Sequence, residues 1–341
     1  MNIIKKNFAI WTIVAMNLVL TSCAGLKNSQ QALQFDKSYC NKQAVSPYTK
    51  DDVPKPFHEL KPDTVLTNRF SNQSLNIANA IGLIDVLTKY IHLQIDYSSN
   101  PTLEKKVDLL EYSQHINQKL NIASLEISAL ASQLDCEEER AKQFAYYLKE
   151  REGKTEKGLI IGSIIVGAAG AVVTEVISNN SSNEKITTGL TIGISLTEAT
   201  LGALMLINKR KIEFYHNDNA LTDIWKNSDV SNYFPSSIWY YLTYENPNNN
   251  EKSLAKLLVD KWMLFGQISS ENKKSTNKTV EVYFGKGGQY RADDLQNRAD
   301  MLDQTEAYVT LMKQDLKILA YEIEKIYFKS LLSETLKIEK A

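Results

Sequence analysis

Few side chains in this chain of 341 residues have the type and spacing that chemistry needs. The four histidines, His58, His92, His115 and His216, are scattered. No two share a helical turn, and no His-Glu-x-x-His pattern occurs, so the sequence offers no zinc site. There is no Gly-x-Ser-x-Gly turn for a serine nucleophile, and no cysteine lies in a thiolate-stabilising context. Gly285-Lys286-Gly287-Gly288 could cradle a phosphate. However, Gln289 and Tyr290 stand where the Walker order requires lysine and a hydroxyl, so a flexible turn is expected. Glu137-Glu138-Glu139 reads as a solvated helix face, and Asp293-Asp294 as an acidic helix start that suits the dipole. The expectation is a protein that is not an enzyme, with no catalytic residue, no metal and no cofactor.

The remaining chemistry belongs to the three cysteines. Cys40 and Cys136 either pair or stay as buried free thiols, and the residues alone leave both open. Cys23 sits differently. Lys5 and Lys6 precede a mostly apolar run from Phe8 to Leu20, the layout of a signal peptide. The run closes with Leu20-Thr21-Ser22-Cys23, followed by Ala24-Gly25. This segment resembles the signal peptide and lipobox of bacterial lipoproteins, over the first 25 residues or so only. The resemblance implies cleavage before Cys23 and lipidation of its thiol. Several acyl chains on one residue exceed what stable anchoring needs. Ala24 replaces the aspartate that marks inner-membrane retention in the enteric type. The implied address is the bacterial outer membrane, periplasmic face before cell surface.

Removing residues 1–22 takes out Lys5 and Lys6 and no acid. The remainder carries 37 basic and 40 acidic side chains, a formal charge of −3. That balance carries no basic footprint for nucleic acid. The expected partners are the membrane, through the N-terminal lipid, and an unidentified protein; self-association is left open.

The elements that would position these residues are helices. Residues 23–64, rich in polar residues and then in proline (Pro47, Pro54, Pro56, Pro62), read as a flexible, lipid-anchored tether. Residues 65–341 read as the helical domain. A first helix is expected from Ser74 to Tyr97, with Ile77, Ile81, Ile84, Ile91 and Ile95 on one stripe. A long second helix is expected from Thr102 to Glu152. Its apolar positions step four-three through Ile116, Leu120, Ala123, Ile127, Leu130, Leu134, Ala141, Phe144 and Leu148, with Glu137 the one interruption. A last helix from Ala292 to Leu336 repeats Leu295, Leu302, Val309, Leu316 and Ile323 every seven residues. The two long helices are expected to pair antiparallel.

Between them lie two apolar, glycine-bearing segments, 158–178 and 186–207, joined by Asn179 to Glu184. Folding them back sets Gly162 against Gly202 and brings Gly158, Gly167, Gly170, Gly189 and Gly193 to one seam. Glycine there allows close backbone approach. The expectation for 158–207 is a buried helical hairpin. Its alternative is membrane insertion, in outline like helical-bundle pore-forming toxins, although Glu198 is costly at bilayer depth. Lys209 to Trp225 should continue as helix. Trp225, Tyr233, Phe234, Trp239 and Tyr240 form an aromatic patch, read either as a partner surface or as local packing. Val280, Val282 and Phe284 alternate, which predicts a strand pairing with residues near Phe265 in a β-hairpin over 265–285.

The expected fold is therefore mainly α. It is an elongated helical bundle with two long heptad-bearing helices, a glycine-rich apolar helical hairpin and a small β-hairpin. The expected role is structural or partner-binding.

Overall fold

In the computed structural model the protein is mainly helical, with one small antiparallel sheet. The structure describes residues 40, 47–180, 210–216, 218–246, 252–268 and 280–338, with side chains of 158–180 and 329–338 excepted. The signal segment and Cys23 lie outside these residues.

The segment read as a free tether is bound to the body from residue 47 onward, which corrects the 23–64 boundary. Two 3-10 turns, Lys50–Asp52 and Phe57–Glu59, punctuate it. Tyr48 donates its hydroxyl to the Phe234 carbonyl at 3.0 Å, and the Phe57 N–H donates to Tyr240 Oη at 3.0 Å. Asn79 donates to the Lys55 carbonyl at 2.8 Å. Proline blocks a helix but not a strap: extended backbone groups that meet a protein surface find partners there. Upstream, Cys40 is disulfide-bonded to Cys136.

Three helices follow: α1 (Thr64–Thr67), α2 (Asn72–Ala80) and α3 (Ile84–Ser99). The single helix expected over 74–97 is thus two. Gly82 adopts φ +67°, a left-handed conformation that glycine enters without strain, and the chain turns there. The break lets Leu75 and Ile77 on one side and Leu87 and Ile91 on the other reach the same core.

Helix α4 runs without interruption from Leu103 to Asn180. Residues 151–157, which separate the charged half from the apolar half, hold one glycine and no proline. Glu150 and Lys154 pair across one turn at 2.8 Å, so nothing stops the helix. On its inner face Ile116, Ala123, Ile127, Leu130, Leu134, Ala141, Phe144 and Leu148 are buried.

After Asn180 the description resumes at Arg210, which lies back at the base of the apolar half. Its N–H donates to Glu152 Oε1 at 2.8 Å, and its Nη2 donates to Thr155 Oγ1 at 3.3 Å. Gly158, Gly162, Gly167 and Gly170 belong to α4. The seam itself, with Gly189, Gly193 and Gly202, lies outside the described residues. Among the described residues no helix is long and apolar enough to cross a membrane; the side chains of 158–180 are not among them.

The helix expected over 209–225 is not continuous. Ile212–Tyr215 forms strand β1, and helix α5 spans Ala220–Lys226. Ile-Glu-Phe-Tyr suits a half-buried pleat, and Phe214 is its inward residue. Helices α6 (Ser236–Thr243) and α7 (Leu254–Leu264) follow. The predicted strand over 279–284 is also corrected: residues 280–284 are helical. Tyr283 and Phe284 are both buried although adjacent, which one face of a pleat cannot provide. The partner of β1 is instead β2 (Gly287–Tyr290), built from the glycine run read as a flexible turn. The register pairs Ile212 with Tyr290 and Tyr215 with Gly287. Gly287 has φ +95°, and a Cβ there would sit 2.2 Å from the Phe214 carbonyl oxygen. Only glycine lets the strands meet this closely.

Helix α8 spans Ala292–Ile338. Asp294 caps its start by accepting from the Arg291 N–H at 3.0 Å. Leu295, Leu302, Val309, Met312, Leu316 and Leu319 are buried. α8 lies antiparallel to α4. Ile116 and Leu120 neighbour Ala320 and Glu324, Asp135 and Glu138 neighbour Glu306, and Arg140 neighbours Arg298.

Candidate functional site

The aromatic patch is core. Phe234 and Trp239 are fully buried and stacked at 5.5 Å, and the Trp239 indole N–H is spent on the Ser228 carbonyl at 3.0 Å. Tyr233 is buried, and burial raises its phenol. Trp225 lies flat on Phe284 at 4.6 Å. The Tyr240 hydroxyl donates to Asn76 Oδ1 at 2.7 Å and accepts from Phe57 N–H, and burial pushes it to about 12. Tyr233, Phe234, Trp239 and Tyr240 are therefore buried, while Trp225 is half-buried.

A charged junction lies where the sheet meets the two long helices. Glu137, the interruption in the α4 seam, is not solvated. Arg140 donates to its Oε2 from Nε at 3.1 Å and from Nη2 at 2.8 Å. The same Nη2 reaches the Tyr215 carbonyl at 3.3 Å, and the guanidinium lies 4.2 Å over the Phe214 ring. Arg298 on α8 is fully buried. It donates to the Tyr283 carbonyl at 3.2 Å and to Asn219 Oδ1 at 3.1 Å, and burial lowers its pKa. His216 meets the Tyr290 hydroxyl at 3.0 Å, and that hydroxyl donates to the Val282 carbonyl at 2.7 Å. The imidazole therefore gives its Nε2 proton to Tyr290 and is neutral. The arrangement locks two strands to two helices.

This junction makes the fold acid-labile. Burial first, then the guanidiniums of Arg298 and Arg140, push the His216 imidazole from 6.5 down to about 2. Below pH 6.5 the unfolded chain takes a proton that the folded one refuses. The stability held above pH 6.5 is thus lost as pH falls towards 2. From pH 7 to pH 5 the loss is about 2 kcal/mol. Urea midpoints of wild type and His216→Gln at the two pH values check this. The wild type should lose more, and equal losses would reject the assignment.

Three carboxylates gather nearby. Oxygens of Asp135, Glu138 and Glu306 lie within 4.8 Å of one another, a hard-cation ligand set by type. Glu138 is buried and already holds Lys142 in an i,i+4 ion pair. Desolvation raises both Glu138 and Glu306 above the usual carboxylate range, and neighbouring acids raise them further. The cluster reads as repulsion relieved by one lysine. It corrects the solvated-face reading of Glu138.

A polar cleft of about 700 Å³ lies under the N-terminal strap. Lys50 to His58 form one wall. The turn after α5, the end of α6 and Lys256 of α7 form the other. Asn227 holds that turn in the left-handed region at φ 46°. One ion pair links the two walls, Lys50 to Asp229 at 2.9 Å, and a second lies within the far wall, Lys256 to Glu245 at 2.6 Å. The Tyr244 ring lines the cleft with the His58 ring 6.0 Å away. A second, more apolar groove of about 610 Å³ lies between α4 and α8, beside Tyr321 and Phe328.

No protein-family model, no curated protein and no solved structure matches this chain. The site residues that sequence reasoning passed over are therefore judged on geometry alone. Glu137 carried a signal, since it occupied an inward seam position. The strap residues carried none, because proline-rich composition looks the same bound or free.

Proposed function

We propose that this chain is a lipid-anchored bacterial envelope protein, with a structural or partner-binding role carried by its helical body and no catalytic activity of its own. The observation that carries this reading is the pair formed by the lipobox-like Leu20-Thr21-Ser22-Cys23 and the Cys40–Cys136 disulfide. The first addresses a chain to the envelope. The second suits an oxidising compartment and would be unusual in a reducing one. The strap supports the same arrangement. A chain anchored at Cys23 meets the body at Cys40, so the leash is no longer than residues 24–39. With Phe234 and Trp239 buried, the exposed aromatic side chains among the described residues are spread over α4 (Tyr146), β1 (Tyr215), the end of α7 (Phe265) and α8. Tyr321 and Phe328 are 59% and 53% exposed. The elongated bundle, the outer-membrane address and the periplasmic face belong to this proposal.

The test is acyl labelling and membrane fractionation in a bacterial host. Wild type should carry label and sediment with the outer membrane. Cys23→Ser should lose both, and a labelled Cys23→Ser protein sinks the anchor. Dye release from liposomes by wild type, abolished by Ile164→Lys, would replace the scaffold with the membrane-active reading.

A further inference from the structure

The walls of the cleft under the strap suit a neutral ligand rich in hydroxyl groups, and we infer that it binds a short oligosaccharide. This inference stands apart from the lipid anchor. The volume of about 700 Å³ falls in the range of about 300–1,000 Å³ typical of small-molecule sites. Charge on the walls cancels. Lys50 is matched by Asp229 and Lys256 by Glu245, and Asp51 and Lys55 add one charge of each sign. An anion would need surplus cations, and a cation would need surplus carboxylates; the cleft has neither surplus.

The paired groups still have hydrogen-bonding capacity. An ammonium has three N–H groups and a carboxylate about four lone-pair sites, so one ion pair uses part of each. Asn227 and Ser228 add an amide and a hydroxyl on the opposite wall, and the Thr243 hydroxyl, which donates to the Trp239 carbonyl at 2.7 Å, can still accept. The lining therefore holds both donors and acceptors. A sugar hydroxyl, which both donates and accepts, satisfies such a lining where a one-sided ligand cannot. The half-buried ring of Tyr244 lines the same cleft, 6.0 Å from the His58 ring and 5.5 Å from the Tyr240 ring, and Pro54 and Pro56 line it too. A flat aromatic face with a polar rim accepts the C–H face of a pyranose. Tyr240 is not available for this role, because its hydroxyl is committed to Asn76 and Phe57.

The site is also held ready. The strap wall is clipped by the disulfide and by the Tyr48 and Phe57 hydrogen bonds, so little ordering remains to oppose binding.

Saturation-transfer NMR on the purified full chain tests this, with N-acetylchitotriose and maltotriose as probes. At least one should receive transfer and titrate to saturation. Tyr244→Ala should weaken it about tenfold or more. Ser228→Trp, which fills the cleft from an exposed turn, should abolish it without disturbing the core. Tyr215→Ala, at a tyrosine 50% exposed on β1, should leave it unchanged. No transfer to either probe overturns the inference, and so does equal transfer in wild type and Ser228→Trp. Binding of inorganic phosphate in place of both sugars overturns it in favour of an anion site.

Discussion

Arg140→Ala is expected to cost about 3–5 kcal/mol, the usual loss when one partner of a buried ion pair is removed. Three interactions go at once. Glu137, with a side chain 14% exposed, loses both hydrogen bonds from the guanidinium. The Tyr215 carbonyl loses a donor, and the Phe214 ring loses the cation over its face. The dominant penalty is the loss of the cation held against the mostly buried Glu137 carboxylate. The double variant Arg140→Ala/Glu137→Ala should therefore recover part of the loss, although it has fewer polar contacts than the single. Equilibrium unfolding in urea measures both. A single variant within about 1 kcal/mol of wild type would show that the junction is solvated and that Glu137 does not depend on Arg140.

The disulfide is the other large term. Cys40 and Cys136 are 96 residues apart, and closing a loop of that length removes about 4–5 kcal/mol of chain entropy from the unfolded state. Cys40→Ser/Cys136→Ser should lose stability of that order. Dithiothreitol should lower the melting temperature of wild type and leave that of the variant unmoved. The loss has a local signature too. Without the covalent clip the strap is held by a few exposed or half-buried contacts, such as Lys50 with Asp229, which contribute little individually. Tryptic cleavage after Lys50 should therefore quicken well before global unfolding. A variant as stable and as protease-resistant as wild type would mean that the strap is fixed by its hydrogen bonds alone.

Both long helices could be read from their apolar spacing, because a period near 3.5 sustained over many turns leaves little alternative. Ala292 was the expected start of the last helix and is where α8 begins. Short elements could not be read this way. Val280, Val282 and Phe284 alternate over too few residues to separate a strand from a buried helical turn. The burial of Tyr283 beside Phe284 chose the helix. The continuation of α4 through residue 157 was missed for a related reason. A change from charged to apolar residues looks like a boundary, but residues 151–157 hold no proline and no left-handed residue to end the helix.

By itself the sequence determined the helical class and the inward residues of α4 from Ile116 to Leu148 and of α8 from Leu295 to Leu319. Both depend on neighbours along the chain, through periodicity and local pattern. The pairing of Cys40 with Cys136, the joining of Ile212–Tyr215 to Gly287–Tyr290, and the strap laid over Phe234 and Tyr240 were decided by the tertiary structure alone. Each joins residues dozens to nearly two hundred positions apart. At such separations no local spacing constrains the partner, and the choice falls to whichever surfaces the packed helices bring together.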